Sequence, residues 1–325
     1  MFITVLMYSI GIPFAFASSL LLLIFKPFAN KLLGRDRGRL YAIGSEVNKG
    51  KFTGVGIYFM AAFLVAASSF CEMSLLHRFL MLLCATSSLF GYLDDRSLNP
   101  WKEWVKGVID IGIAASAAAL APFTFSGWVT TFAHSFEIPF FIFIPLAFAL
   151  FIVSINATNA TDGVDGLSGT LTILTVFTLT IVAALRGTLN APSALMGLLM
   201  VAVLLPYLFF NIYPSKVLMG DAGSRGIGFF IALYAMMLHI PFAYLIVGLP
   251  FMLDGGLSIL KITIGRLTHK KVIILKNTIT PIHDHLKKQK GLSVPKTYLA
   301  ICAFALLIDV IYIVINLVIK LVQFI

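Results

Sequence analysis

Long apolar runs alternate with short polar clusters along the whole chain. Runs of the length that crosses a bilayer, roughly 17–25 residues, lie at 3–25, 53–71, 75–93, 104–122, 138–155, 168–185, 193–212, 226–241, 243–264 and 297–318. Pro206 and Pro250 fall inside two of these runs, which a bundle of helices in a membrane tolerates. The pattern predicts an all-α fold, a polytopic membrane helix bundle of about ten transmembrane helices.

The composition agrees with a membrane protein. Hydrophobic residues make up 59% of the chain and charged residues 12%, and the mean hydropathy is +0.98. This balance excludes a soluble domain of this size. We expect one integral membrane domain over residues 1–325, whose first run is a retained span because it lacks a basic n-region and a small-residue cleavage site. The three cysteines have no metal-type spacing and are expected to pack as free thiols.

Basic residues are unevenly distributed between the two faces that ten spans define. Of the 24 Lys and Arg residues, all but Arg78, Arg186 and Lys320 fall on one face. By the positive-inside rule this face is cytoplasmic, and both termini lie outside. A span count wrong by one would scatter the charges over both faces. The net charge of +10 is therefore explained by membrane orientation, lipid headgroups and anionic substrates, and no nucleic-acid partner is expected.

Five polar clusters lie next to these spans, all on the predicted cytoplasmic face. They are Thr53 to Gly56, Asp94 to Arg96, Asn156 to Gly166, Gly220 to Ser224 and Pro281 to His285. Carboxylates close to hydrocarbon are costly and persist there mainly for function. The clusters therefore predict one site assembled at the membrane surface.

Each acidic cluster alone also has a simple structural explanation. Asp94 and Asp95 repel each other unless a cation shares the site, but with Arg96 they could form a solvated helix end. The segment from Asn156 to Gly166 offers oxygen ligands without a nearby Lys or Arg, or it is an Asx-turn loop. Asp221, at the start of a helix, is suited to Mg²⁺ beside a phosphate, or it caps the helix.

The last cluster lies in the longest predicted cytoplasmic loop, residues 266–296, among many lysines. His283 and His285 flank Asp284 and could bind a metal, a phosphate or a proton, although His-x-His is a weak pattern. The lysines around them could also contact acidic headgroups. Taken together, the five clusters indicate phosphate chemistry, with Mg²⁺ held by aspartates and cations around anionic substrates.

Four of the motifs, in order and spacing, resemble the polyprenyl-phosphate N-acetylhexosamine-1-phosphate transferases. They are Asp94-Asp95, Asn156-x-x-Asn159-x-x-Asp162-Gly163-x-Asp165-Gly166-Leu167, Asn211 to Met219-Gly220-Asp221-x-Gly223-Ser224, and Pro281-Ile282-His283-x-His285. The resemblance implies ten helices, Mg²⁺ and a cytoplasmic active site in a bacterial cytoplasmic (inner) membrane. It also implies transfer of a sugar-1-phosphate from a UDP-sugar to undecaprenyl phosphate, with release of UMP.

Within this family, Pro281 to His283 and Phe210 to Pro214 are most similar to the phospho-N-acetylmuramoyl-pentapeptide transferases of peptidoglycan synthesis. The chain departs from that branch at Asp284, which stands in place of the middle of three histidines. Lys287 stands in place of a glutamate, and Leu218 in place of an aromatic expected at the uracil. These departures leave the reaction class unchanged but weaken the assignment of the sugar.

A second branch of the family remains an alternative for the sugar. Asp94-Asp95-Arg96 is more similar to the N-acetylglucosamine-1-phosphate transferases. A homodimer is compatible with the resemblance. Outside the family, an ion-coupled transporter is the alternative, although transporters place such residues near the bilayer midplane.

The resemblance also assigns roles to single residues. The expected catalytic residues are Asp94 as the base for the lipid phosphate, Asp95 beside it, Asp221 as the Mg²⁺ ligand and Lys102 near the phosphates. Asp162 is expected to be a second metal ligand. The expected substrate-binding residues are Asn156, Asn159, Asp165, Asn211 (at the uracil), His283, His285 and Lys51, with Lys49 as an alternative to Lys51. We expect a single displacement, and a two-step route through an aspartyl intermediate is the alternative.

Overall fold

The computed structural model describes residues 2–24, 31–36, 48–132 and 134–323. Its helices are α1 (Phe2–Ile24), α2 (Gly56–Phe70), α3 (Leu75–Arg96), α4 (Glu103–Phe125), α5 (Phe140–Thr161), α6 (Leu167–Arg186), α7 (Ala191–Asn211), α8 (Gly220–Met237), α9 (Pro241–Val247), α10 (Leu249–Leu267), α11 (Ile282–Lys288) and α12 (Val294–Val322). Two short antiparallel pairs complete the described fold: β1 (Gly34–Arg35) with β2 (Phe52–Thr53), and β3 (Trp128–Thr130) with β4 (Ser135–Glu137).

The predicted class, a multi-pass helical membrane protein, is confirmed. Within the described ranges, seven helices are long and apolar enough to cross a membrane, or eight if the bent pair α9–α10 is one span. The helix α2 is shorter, with 15 residues, and α8 carries Asp221 and Arg225 within 18 residues. Each of the ten predicted runs therefore contains a helix or a helix pair, but the count of ten spans and the side of the termini stay predictions.

Helix α8 lies at the centre of the bundle and packs against α2, α3 and α5. Every residue from Asp221 to Met237 is buried. Glycines allow the neighbouring helices to approach closely, since a Cβ at Gly91 of α3 would clash with the Asp221 carbonyl, and one at Gly56 of α2 with the Gly223 amide. Small residues at such contacts are typical of membrane helices. The first turn of α8 is thereby fixed between α2 and α3.

Two polar segments that were expected to be loops contain helix. Helix α5 continues to Thr161, so Asn156 and Asn159 lie on its last turns, where their amides bond to the helix itself and to α8. The expected loop 266–296 contains α11, which starts directly after Pro281. Both segments were expected to be loops because they are polar. A polar side chain that finds a hydrogen-bond partner within the protein can, however, lie inside a helix.

The ninth predicted run is broken. Helices α9 and α10 meet at an angle of 59°, at Gly248 and next to Pro250, which has no amide hydrogen to continue the helical ladder. Directly after the bend, Met252–Gly256 forms a π-helical turn. This turn contains Asp254, and such turns are frequent at functional sites.

Candidate active site

Lys106 of α4 joins two of the acidic clusters. Its Nζ lies 2.5 Å from Asp94 Oδ2 in the last turn of α3, and 3.3 Å from Asp221 Oδ2 in the first turn of α8. The other oxygen of Asp94 accepts a 2.7 Å hydrogen bond from the Trp101 amide. Both carboxylates are buried, so the ammonium between them offsets a repulsion that burial would make severe.

Arg225 extends this arrangement to a third carboxylate. Its Nε lies 3.5 Å from Asp221 Oδ2, and its Nη1 lies 2.8 Å from Asp110 Oδ1. Asp110 is one helical turn beyond Lys106 on α4. We call Asp94, Lys106, Asp221, Arg225 and Asp110 the charge cluster. Its three carboxylates and two cations alternate, which is how buried charges are tolerated.

Asp95 has a different position from its neighbour Asp94. Its Oδ2 accepts a 3.0 Å hydrogen bond from the Ala222 amide at the start of α8, where a negative charge is favourable. Gly54 and Gly220, with φ of 76° and 70°, enclose the carboxylate, and a Cβ on either would crowd it. Asp95 therefore attaches α3 and the β2 loop to the first turn of α8.

Two asparagine side chains lie in the last turns of α5, and one of them contacts α8. Asn159 Nδ2 donates to Ser224 Oγ at 3.0 Å, and Asn156 Nδ2 donates to the Ile152 carbonyl at 2.9 Å. The Asn156 side chain also interacts with Asp110 of the charge cluster. Asp162 follows as the residue at the C-terminal end of α5 and is half-buried.

Asp165, Asn211 and Lys51 meet around the segment that follows α7. Asp165 Oδ2 accepts from the Ser215 amide at 3.0 Å, and Lys51 Nζ donates to Ser215 Oγ at 2.9 Å. Asn211 Oδ1 accepts from the Gly166 amide and its Nδ2 donates to the Val217 carbonyl, both at 2.8 Å. These side chains therefore hold the loop after α5 against the segment leading to α8.

His283 is held by a carboxylate that no sequence motif indicated. Asp254 Oδ1 accepts from the His283 amide at 2.7 Å, and Oδ2 lies 2.8 Å from its Nδ1. Both side chains are buried. On the other side of the ring, a Cβ at Gly163 would clash with Nε2. The ring is thus fixed in orientation, with Nδ1 toward Asp254 and Nε2 toward the loop that carries Asp162.

Asp284 lies among cations on α11. Its carboxylate lies 3.2 Å from both Lys287 Nζ and Lys288 Nζ, and 3.8 Å from His283 Nε2. Burial raises the pKa of Asp284, but Lys287, His283 and Lys288 lower it further, so the net pKa lies below its ordinary value. Lys287 also donates to the Gly163 carbonyl at 3.2 Å. His285 points elsewhere and accepts from the Ile279 amide at 3.3 Å.

Four residues of this region were not predicted from the sequence: Lys106, Asp110, Arg225 and Asp254. The lysine that was predicted, Lys102, is exposed at the start of α4. Lys102, Lys106 and Asp110 follow a spacing of four, so they lie on one helix face, and this spacing was the available signal. Asp254 lies inside an apolar run and gives no comparable signal.

The donors around Asp221 suit a magnesium ion that is also held by substrate. Within the described part of the chain, no three His, Cys, Asp or Glu side chains are grouped to hold a metal. Asp94 and Asp221 nevertheless direct one oxygen each toward a common cation, the Lys106 ammonium. Mg²⁺ is usually bound by one or two carboxylates together with waters and substrate phosphates. This donor set fits that mode of binding.

Comparison with known proteins identifies the class. Residues 77–239, which contain the charge cluster, match the model of glycosyl transferase family 4. Phospho-N-acetylmuramoyl-pentapeptide-transferases from two strains of Treponema pallidum, one of them strain Nichols, are each 36% identical over 281 residues, covering 81% of this chain and 77% of the relative. A protein of the same name from Latilactobacillus sakei is 30% identical over 136 residues, covering 42% of this chain and 40% of that protein.

The fold and these relatives define a multi-pass membrane enzyme of the phosphosugar transferase class. The chain belongs to glycosyl transferase family 4. The family resemblance seen in the four motifs is thereby confirmed, and the transporter alternative has no support.

Proposed function

We propose that the chain transfers phospho-N-acetylmuramoyl-pentapeptide from its UDP-linked form to undecaprenyl phosphate, releasing UMP and forming a lipid-linked cell-wall precursor. The names of its relatives support this choice of sugar. The observation that carries the proposal is the convergence of Asp94 and Asp221 on Lys106. This arrangement combines carboxylates for a metal and a proton with cations for phosphates.

The residues of the charge cluster have different roles in the proposed reaction. Asp94 accepts the proton of the lipid phosphate, because its carboxylate is fixed by Lys106 and the Trp101 amide. The phosphate oxygen then attacks the β-phosphorus of the UDP-sugar, and UMP leaves. Lys106 and Arg225, which both contact Asp221, stabilise the anionic phosphates. Such a reaction needs mainly positioning and charge stabilisation.

We assign Asp221, whose carboxylate is directed with that of Asp94 toward one cation, as the residue that would hold Mg²⁺, and Asp162 as the second ligand on the family resemblance. When bound, the ion supplies neutralisation of the charge on the diphosphate. Asn159 attaches the end of α5 to α8, and Asn156 contributes a second amide group one turn earlier on α5. We assign Lys102 and Lys51 as further sources of positive charge for the phosphates.

His283 is the residue that we assign to the diphosphate or the sugar. With Nδ1 bonded to Asp254, its Nε2 faces the loop that contains Gly163 and Asp162. Asn211 and Asp165 hold that loop in place, and Asn211 is also the residue that we assign to the uracil. His285 supports the segment before α11.

The proposed function also implies a location and an orientation in the membrane. We place the enzyme in a bacterial cytoplasmic membrane with ten spans, the active site on the cytoplasmic face and both termini outside. The positions of Asp94 at the end of α3 and Asp221 at the start of α8 support a site at one end of the bundle. Membrane lipids surround the helices, and a homodimer is compatible with this orientation.

N-acetylglucosamine-1-phosphate is the second candidate for the transferred group. The pair Asp284 and Lys287, 3.2 Å apart, stands where the first branch of the family has a histidine and a glutamate. An ion pair at that place changes the charge and shape presented to the sugar. This observation favours a different or broader choice of UDP-sugar.

A UMP-release assay with both donors tests the proposal. Purified enzyme, undecaprenyl phosphate and Mg²⁺ are combined with either UDP-N-acetylmuramoyl-pentapeptide or UDP-N-acetylglucosamine. We expect faster UMP release with the first donor. Turnover of the second alone would overturn the choice of sugar, and turnover of neither would overturn the reaction. Trapping a phosphorylated aspartate by rapid quench would contradict the single displacement and support the two-step route through an aspartyl intermediate.

A further inference from the structure

The end of the bundle opposite the charge cluster contains an arginine that has no carboxylate partner among the described residues. Helix α6 starts beside the loop that carries Asp165, and Arg186 lies in its last turn. The 20 residues of α6 separate these ends by about 30 Å. No carboxylate in the described ranges lies within ion-pair distance of Arg186 or of Lys320, in the last turn of α12.

Neutral groups hold the Arg186 guanidinium in a fixed orientation. Nε donates to Asn316 Oδ1 at 2.8 Å, Nη2 to the Tyr312 hydroxyl at 2.7 Å, and Nη1 to the Thr130 carbonyl at 3.0 Å. The rings of Phe132 and Tyr312 lie 4.9 and 5.7 Å from it. A guanidinium has five N–H donors, and these bonds use three of them. The remaining donors and the full positive charge are available to a ligand.

A cavity of about 120 Å³ opens beside this guanidinium. Its walls include Thr131, His134 and Ser135 from the β3–β4 hairpin, and Lys320 and Gln323 from the end of α12. These side chains are polar, and Lys320 and Arg186 bring two positive charges to one small volume.

The charge balance of the cavity favours an anion. Lys320 and Arg186 are two of the three basic residues that the topology assigns to this face, and the third, Arg78, does not line the cavity. The ends of α6 and α12 each contribute about half a negative elementary charge, which is less than the two cations contribute. Since a partly buried cation without a counter-ion is costly, an anionic ligand would relieve this cost.

We propose that this cavity binds the phosphate group of an anionic membrane lipid. Arginine and lysine together are suited to a phosphate, and the volume admits one compact anion. Arg186 and Lys320 lie in the last turns of two helices that are long enough to span a membrane, which places them at the level of the headgroups. The lipid would join the β3–β4 hairpin to the ends of α6 and α12.

The test measures lipid binding to the purified full chain by native mass spectrometry. Phosphatidylglycerol, phosphatidylcholine and inorganic phosphate are compared as ligands. Lys320→Gln is the main variant because Lys320 lines the cavity without anchoring its walls, and Arg78→Gln is the matched control from the same face. We expect phosphatidylglycerol to bind preferentially, and Lys320→Gln to weaken it about fivefold, as for one basic residue at a lipid surface.

Each other outcome contradicts the proposal. Equal binding of phosphatidylglycerol and phosphatidylcholine would show that the cavity does not select an anionic headgroup. Binding of inorganic phosphate alone would show that the ligand is a free anion and not a lipid. An equal loss in Arg78→Gln and Lys320→Gln would mean a general surface charge effect. UMP release by Lys320→Gln should equal that of the unmodified chain. The lipid-binding proposal can therefore fail while the proposed reaction stands, and the two outcomes are distinguishable.

Discussion

Lys106 Nζ lies 3.3 Å from Asp221 Oδ2, although the two residues are 115 positions apart in the chain. The contact joins the start of α4 to the first turn of α8, and Asp94 completes it from the end of α3. Three helix ends therefore meet at one ammonium group. Because carboxylates this close repel each other, the assembly of the site depends on this cation.

Replacing Lys106 should damage the reaction more than replacing Lys102. We predict that Lys106→Met lowers kcat/KM by about 100-fold or more, the range for loss of one charge-stabilising donor. Lys102→Met, at an exposed position on the same helix face, should lower it only a few-fold. Steady-state UMP release measures both. If kcat/KM falls more in Lys102→Met than in Lys106→Met, Lys102, the lysine predicted from the sequence, is the one that acts on the phosphates.

The orientation of His283 should depend on Asp254. In Asp254→Asn the amide cannot accept from both the His283 backbone and Nδ1 with equal strength, so the ring loses its fixed position. We predict a fall in kcat of about 10- to 100-fold, as for groups that orient a functional histidine, and a displaced pH profile. Asp309→Asn is the control, because Asp309 is also a buried carboxylate but lies on α12. Equal effects of the two variants would contradict a specific role for Asp254.

Gly163 should tolerate no side chain. A Cβ there would clash with His283 Nε2, so Gly163→Ala should displace the histidine and cost about 1–3 kcal/mol of stability. Gly112→Ala is the matched control, since a Cβ at Gly112 meets nothing within 4 Å and alanine favours the helix. Thermal unfolding and UMP release are measured for both. Full activity in Gly163→Ala would show that the close contact is unnecessary.

The ion pairs of Asp284 should make stability depend on pH. The folded-state pKa of Asp284 lies below its ordinary value of 3.8, because the attraction of Lys287, His283 and Lys288 exceeds the upward effect of burial. A lowered pKa stabilises the fold above the unfolded-state pKa, and this contribution disappears as the pH falls through the folded-state value. Asp284→Asn should therefore lower Tm at about pH 7, and the difference from the unmodified chain should shrink below about pH 4.

A control for this pH effect is Glu72→Gln, which replaces an exposed carboxylate. It should change Tm little at either pH. If Asp284→Asn and the unmodified chain differ by the same amount at both pH values, the ion pairs of Asp284 contribute no pH-dependent stability.

The helical membrane class and the family could be predicted from the sequence, because long apolar runs and ordered motifs are local features. Lys106 was not chosen because the family resemblance assigned Lys102, and only the packing of α3, α4 and α8 decides which lysine turns inward. Asp254 was missed because a single carboxylate inside an apolar run has no periodic signal. Asn156 and Asn159 were placed in a loop because the bond from Asn159 to Ser224 of α8 joins positions that are far apart in the chain.

The most direct test follows both products of the proposed reaction. Purified enzyme, undecaprenyl phosphate, UDP-N-acetylmuramoyl-pentapeptide and Mg²⁺ are incubated, and UMP and the lipid product are quantified by mass spectrometry. We predict one lipid-linked phosphosugar for each UMP, and a loss of about 100-fold or more in Asp221→Asn. UMP without the lipid-linked product, or full activity of Asp221→Asn, would contradict phosphosugar transfer at the charge cluster.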